Sequence, residues 1–206
     1  MEVIWGYGCL TGRHCCHIVK IAYEICNFMS ICTIPLSVYD SARYNYTFSV
    51  DFNPKHTEIF FRIAPNLLYT STLPNTINIL SNLEPRILKS VCFNSRNLPF
   101  SKEVKKTETA HLFEHILLEY LCQEGVKYGR KRVKFSGLTE WNWKHEAQGT
   151  FHISITGTKI PKSNFATALA KTVLLFDTVL AQPAFSKKIS SKQIDLDYLF
   201  VSRMRE

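Results

Sequence analysis

The chain has 206 residues, of which 46% are hydrophobic, 20% charged and 13% aromatic. A chain of this length and composition can bury one full apolar core, and it excludes a long disordered tract, a fibrous architecture and a second large domain. Its formal charge of +8 favours an anionic partner without identifying it. The seven cysteines include no CxxC pair, which argues against a disulfide scaffold.

The first third of the chain contains an apolar stretch over residues 18–34. Lys20, Glu24 and Asn27 interrupt it, which argues against a signal peptide and against a membrane-spanning helix. We therefore expect a cytoplasmic protein in a reducing compartment, with no membrane partner. A homo-oligomer is compatible with the sequence.

The N-terminal half mixes strand and helix patterns. Apolar periodicity and turn residues predict the following elements: a strand at 2–7, a helix over 11–29, neighbouring strands at 44–52 and 58–63, and short helical segments over 76–83 and 85–91. Residues 94–106 are polar and include Pro99, so a connecting loop is expected there.

The C-terminal half is dominated by two long helical patterns. The predicted elements are a helix over 107–124 that stops at Gly125, strands at 130–135 and 150–156, and a helix that is capped by Ser163 and runs to Leu180. An amphipathic segment at 191–204 lies within a C-terminal stretch, 184–206, that we expect to dock loosely on a single domain spanning 1–206. The predicted fold is α+β, with a mainly antiparallel or mixed sheet covered by helices.

The first of the long helices carries the spacing of a metal site, H-x-x-E-H over residues 111–115. Residues four apart lie on one face of a helix, so His111 and His115 can bind one Zn²⁺, and Glu114 can act as general base on a metal-bound water. That chemistry is peptide or amide hydrolysis. A catalytic zinc usually has a third protein ligand, and Glu119 is the local candidate.

The same residues also have a structural interpretation, as hydrogen-bonded groups of a core or a surface. Leu112, Phe113 and Ile116 make the helix apolar on most sides. Burying three ionisable groups on such a helix costs free energy unless they bind a common ligand, and this favours a metal site.

The sequence around the motif resembles the N-terminal domain of cyanophycin synthetase. In that family a helix of the type H-x-x-E-H-x-x-L-E-L-Q is followed by a Gly-containing turn, an F-G-R-T-R segment and a strand. Residues 110–119 and 125–132 follow the same order and spacing. The resemblance covers residues 107–181.

The resemblance implies a small α+β domain that, in some family members, is a zinc metallopeptidase cutting an Asp-Arg polymer. It implies that His111 and His115 are metal ligands and that Glu114 is the general base. It also implies that Arg130 and Arg132, which match the family's paired arginines, hold an acidic backbone by charge-assisted hydrogen bonds. The expected partner is then a peptide or an anionic polymer.

The chain also departs from that family. It has no G-x-x-x-x-G-K-[ST] phosphate loop, so it is not a complete ATP-dependent synthetase. Glu119 is followed by Tyr120 and Leu121 rather than by the family's glutamine, which leaves the substrate open. The motif is also similar to that of pitrilysin-type peptidases, but their distant glutamate ligand has no counterpart, since Glu206 is the only glutamate after Glu146.

A non-catalytic alternative rests on the basic run that contains Arg130, Arg132 and Lys134. As a strand, the run would place these three on one face, either solvated or binding an anionic polymer, peptide or nucleic acid. Nucleic acid is not the expected partner, because no RNP, helix-turn-helix or zinc-finger pattern accompanies the run. Beyond it, Trp141 and Trp143 could wall a substrate-binding cleft or form a hydrophobic plug between strands.

Overall fold

The structure, a computed structural model, describes residues 2–4, 38–41, 44–92 and 98–182. The strands in these residues are β1 (Glu2–Ile4), β2 (Val38–Ser41), β3 (Tyr46–Phe52), β4 (Thr57–Ile63), β5 (Phe135–Glu140) and β6 (Thr150–Gly157). The helices are α1 (Thr76–Leu83), α2 (Phe100–Glu103), α3 (Thr109–Lys127) and α4 (Lys162–Leu180), with short 3₁₀ turns at Pro65–Leu67, Thr70–Thr72 and Ile87–Lys89.

The six strands form one sheet in the order β1-β5-β6-β4-β3-β2, and every pairing is antiparallel. The α+β fold predicted from the sequence is therefore confirmed, in its antiparallel form. Among the described residues, no helix is both long and apolar enough to cross a membrane.

One face of the sheet is buried beneath α3 and α4. Phe113 of α3 lies 5.5 Å from Phe48 and 5.0 Å from Phe61, measured between ring centroids. Phe176 of α4 meets Phe61 and Tyr46 edge to face, at 5.9 and 5.1 Å. Aromatic pairs of this kind contribute about 0.5–1.5 kcal/mol each beyond the burial of their area. They fix α3, the helix that carries the metal motif, against the sheet.

Several elements predicted from the sequence are confirmed to within two residues: the helices over 76–83 and 163–180 and the strands at 44–52, 58–63 and 150–156. The predicted segment over 85–91 is a 3₁₀ turn, and the strand predicted at 2–7 covers 2–4. The helix predicted over 11–29 and the C-terminal segment 184–206 lie outside the described residues.

Four predictions about element boundaries are wrong. Gly125 does not stop α3, which continues to Lys127, and Val133 packs so closely on Gly125 that a Cβ there would lie 2.9 Å from Val133 Cγ1. The chain instead reverses at Gly129, which has a φ of +85° that favours glycine. The strand therefore begins at Phe135 rather than at residue 130.

The other two corrections concern helix starts. The N-cap of α4 is Pro161 rather than Ser163, and its carbonyl accepts the first amide hydrogen bonds of the helix. The polar segment 94–106 contains α2, which is anchored by the fully buried side chain of Phe100.

Candidate metal site

Three metal-ligating side chains converge between α3 and the segment that precedes α2. His111 and His115 bring their Nε2 atoms to 3.1 Å of each other, and Cys92 Sγ lies 3.4 Å from His111 Nε2. All three side chains are buried. In the described part of the chain, this is the group of His, Cys, Asp and Glu side chains that could hold a metal ion.

The polypeptide on the Cys92 side is fixed by main-chain hydrogen bonds and by an aromatic ring. The Cys92 amide donates to Leu98 O at 3.4 Å, and the Phe100 amide donates to Ser90 O at 2.9 Å. The ring of Phe100 stacks on that of His115 with centroids 3.6 Å apart and an interplanar angle of 13°. A tightly packed ring leaves the imidazole little freedom to rotate, so the direction of its Nε2 is set.

Ser90 determines which nitrogen of His115 carries the proton. Its hydroxyl has one hydrogen, which it donates to Ile87 O at 2.6 Å. The same oxygen lies 2.9 Å from His115 Nδ1, so it must accept a hydrogen bond from Nδ1–H. The lone pair of His115 is then on Nε2, which is directed toward His111.

His111 has the same kind of partner, because Thr107 Oγ1 lies 2.8 Å from its Nδ1. Thr107 is itself held by Thr70, whose Oγ1 accepts from the Thr107 amide at 3.0 Å. If Thr107 accepts from Nδ1–H, two Nε2 lone pairs face each other at 3.1 Å. They repel unless a cation lies between them, and without one His111 must carry its proton on Nε2 instead.

Burial keeps both imidazoles in the neutral form that binds metals. It lowers the pKa of His111 to about 4, and it holds the pKa of His115 well below its ordinary value. No proton then has to be displaced from a charged ring before a cation binds.

The donor set also fits a tetrahedral ion in its dimensions. With Zn–N near 2.1 Å and Zn–S near 2.3 Å, the edges of a tetrahedron are about 3.4 Å between nitrogens and about 3.6 Å between nitrogen and sulfur. The observed separations of 3.1 and 3.4 Å are each shorter by only a few tenths of an ångström. A small outward movement of the side chains would accommodate the ion.

Glu114, the general base predicted from the sequence, faces the sheet rather than this group. Thr139 Oγ1 of β5 donates a hydrogen bond to Glu114 Oε2. Glu114 Oε1 lies so close to Gly137 that a Cβ on residue 137 would be 2.6 Å from it. Among the described residues, Glu114 Oε1 has no hydrogen-bond partner. Burial raises the pKa of Glu114 to about 8, so the carboxyl is mostly protonated at neutral pH.

Glu119, predicted as the third ligand, also lies outside the group of metal-ligating side chains in the described residues. Its Oε1 is 3.1 Å from Arg86 Nε and accepts a hydrogen bond from Gln123 at 3.0 Å. Arg86 Nε also lies 3.0 Å from Glu84 Oε1. Glu119 is thus part of an ion-pair network, and the structure places Cys92 beside the two histidines.

The predicted substrate-binding residues lie on two other parts of the surface. Arg130 and Arg132 are exposed in the loop between α3 and β5. Trp143 donates a hydrogen bond to Thr150 O at 2.9 Å. Trp141, which is 40% exposed, and Trp143 both pack on the buried ring of Phe151. The two tryptophans thus pack over the first residues of β6.

Sequence reasoning did not find Cys92 or Ser90. They lie 19 and 25 residues before the histidines that they contact, and no short-range pattern links them to the motif. Comparison of the chain with protein-family models and with curated proteins finds no match. The geometry of the site is therefore the basis for a functional proposal.

Proposed function

We propose that the protein binds one Zn²⁺ through Cys92 Sγ, His111 Nε2 and His115 Nε2. The observation that carries this proposal is the approach of three buried donor atoms to within 4.8 Å of one another, two of the separations being close to tetrahedral-edge distances, with Ser90 directing one of the lone pairs inward. A thiolate and two imidazoles are ligands that suit zinc, and copper is the main competing ion.

The test is elemental analysis of the purified full-length chain, before and after reconstitution with zinc. We expect about one equivalent of zinc per chain, lost in Cys92→Ala and in His111→Ala/His115→Ala. Two controls use the same residue types elsewhere: Cys122→Ala, a buried thiol on α3, and His152→Ala, an exposed imidazole bonded to Glu146.

The controls should keep the zinc of the unmodified protein. Circular dichroism of the metal-free variants separates a lost ligand from a lost fold. Unchanged zinc content in folded ligand variants would disprove the assignment, and copper as the bound metal would correct the identity of the ion.

Hydrolysis of a peptide or amide is the second candidate, and its substrate class comes from the resemblance to the cyanophycin synthetase N-terminal domain. Three protein ligands leave one coordination position free, and zinc lowers the pKa of a water there to about 7. The described geometry supports hydrolysis less than it supports zinc binding. Glu114 is directed at β5, and its raised pKa keeps it mostly protonated.

Cleavage of Asp- and Arg-containing peptides by the zinc-loaded protein tests this candidate. If Glu114 is the base, Glu114→Gln should retain zinc and lose at least about a hundredfold in turnover. Equal turnover in Glu114→Gln would exclude Glu114 as the base. Absence of cleavage by the zinc-loaded protein would count against hydrolysis and leave the zinc assignment intact.

A further inference from the structure

Two loops beside the C-terminal end of α3 carry several positive charges close together, and none of these residues belongs to the candidate metal site. The connection between α3 and β5 contributes four exposed cations, and the segment after β6 contributes a fifth. These residues, the cationic surface, are Arg130, Lys131, Arg132, Lys134 and Lys159.

Hydrogen bonds lock the two loops together. Lys134 N donates to Thr158 Oγ1 at 2.8 Å, and Thr158 N donates back to Lys134 O at 2.8 Å. Arg130 Nη2 reaches Lys159 O at 3.3 Å, while Arg130 N donates to Gly125 O at 3.2 Å. Segments almost thirty residues apart in sequence thus form one surface, whose backbone is fixed before any ligand binds.

The loop shape directs the cations outward. The sequence predicted a strand here, with alternate side chains on opposite faces. Instead, residues 130–134 form an irregular segment in which Val133 alone is buried, packed on Gly125. Lys131 is therefore exposed together with Arg130 and Arg132, and the charge is denser than strand geometry would allow.

No acidic residue lies nearby in the sequence to neutralise this charge. Residues 125–139 and 147–176 contain neither Asp nor Glu. The adjacent Glu124 is already bound by Lys127 and Lys171, at 3.0 and 2.5 Å. None of the cationic surface forms an ion pair with an acidic residue in the described ranges. Within the described part of the chain, no ion pair offsets this charge, which leaves it for an external anion.

An aromatic ring adjoins the cations. Tyr128 is 50% exposed at the end of α3, and the Arg130 guanidinium lies 5.4 Å from its ring centroid. Exposed rings beside cationic groups are the usual platform for unpaired bases, which stack on the ring while the cations bind the phosphates. A purely acidic polymer such as polyaspartate would bind the cations but has no planar or apolar side chain to stack on the ring.

We propose that the cationic surface and Tyr128 bind single-stranded nucleic acid, with the arginines and lysines contacting the phosphates and Tyr128 stacking against a base. This surface is separate from the cluster of Cys92, His111 and His115, and the proposal does not depend on zinc.

The test is fluorescence anisotropy with a labelled oligothymidine of about 20 nucleotides, longer than a typical single-domain site. If about four phosphates are contacted, log Kd should rise with log salt concentration with a slope of about 3. Arg130→Ala/Arg132→Ala should weaken binding at least about tenfold and reduce that slope. Tyr128→Ala should weaken binding at least about fivefold and leave the slope unchanged.

A charge-matched control is Lys105→Ala/Lys106→Ala. These exposed lysines precede α3, which is about 28 Å long, so they lie at its opposite end. The control should bind within about twofold of the unmodified protein. An equal loss in the control, or no binding of the oligonucleotide, would overturn the proposal.

Two competitors identify other anionic partners. Polyaspartate is added at the same concentration of negative charges as the oligonucleotide. If it displaces the oligonucleotide, and if Tyr128→Ala binds the oligonucleotide as tightly as the unmodified protein, the proposal is overturned in favour of an acidic polymer. Tighter binding to phosphatidylserine vesicles than to the oligonucleotide would overturn it in favour of a membrane surface.

Discussion

Ser90 touches no metal in the proposed site, yet we expect it to control the affinity for zinc. Its hydroxyl donates to Ile87 O at 2.6 Å and therefore accepts from His115 Nδ1–H at 2.9 Å. Ser90→Ala leaves the three ligands in place and removes the group that holds the His115 lone pair on Nε2. The imidazole, still held in place by the Phe100 ring, can then carry its proton on either nitrogen.

The expected loss of zinc affinity follows from the hydrogen bond that the Ser90 hydroxyl makes with His115. Loss of a hydrogen-bond partner behind a ligating histidine typically costs 10–100-fold in metal affinity, which is about 1.4–2.7 kcal/mol. In the metal-free protein the variant loses the hydrogen bonds to both Ile87 O and His115 Nδ1, which should lower the free energy of unfolding by about 1–3 kcal/mol. Zinc affinity and stability should therefore both fall, and each is measured separately.

Competition with a chromophoric chelator measures the zinc affinity of each variant, and urea unfolding of the metal-free protein measures its stability. Thr172→Val is the matched control, because it removes a buried hydroxyl that donates to Ala168 O at 2.8 Å on α4. The control should lose stability but keep its zinc affinity. If Ser90→Ala is folded and binds zinc as tightly as the control, the reasoning about the tautomer is wrong.

Three further predictions concern the packing around α3. Gly137→Ala places a Cβ 2.6 Å from Glu114 Oε1, so it should lower the free energy of unfolding by about 1–3 kcal/mol in urea titration. Gly125→Ala places a Cβ 2.9 Å from Val133 Cγ1, so it should lower the free energy of unfolding by a similar amount. If the variant is instead more stable, because alanine favours a helix more than glycine does, Val133 can move away from the added methyl group. For Glu124, burial alone would raise the pKa, but hydrogen bonds from Lys171 and Lys127 hold it below its ordinary value. Stability from Glu124 is therefore present at neutral pH and lost as pH falls through the lowered pKa, so Glu124→Gln should destabilise by about 1–3 kcal/mol at pH 7 and by progressively less as the pH falls through that pKa.

The elements predicted correctly are those whose boundaries depend on local signals. β6 alternates apolar and polar side chains, and the structure buries Phe151, Ile153 and Ile155 accordingly. α1 follows the Leu73-Pro74-Asn75 turn and keeps the predicted bounds of 76–83. In both cases the residues that decide the conformation lie within a few positions of each other in the sequence.

The predictions that failed depend on contacts between distant residues. Gly125 resembled a helix stop, but in the fold it lies inside α3, where the absence of a side chain lets Val133 pack against the helix. Cys92 carried no signal at all, because only the fold brings it to His111. The i, i+4 spacing did place His111 and His115 side by side, since that relation is internal to one helix.

The direction of Glu114 shows why the motif alone could not define the chemistry. One residue along a helix is a rotation of about 100°, so Glu114 and His115 face different neighbours when every side of the helix is covered. The histidines face Cys92, Ser90 and Phe100, whereas Glu114 faces Gly137 and Thr139 of β5. A carboxyl buried among strand residues is kept neutral by the cost of charging it. The proposed zinc site therefore does not involve Glu114, and Glu114→Gln should keep the zinc content of the unmodified protein.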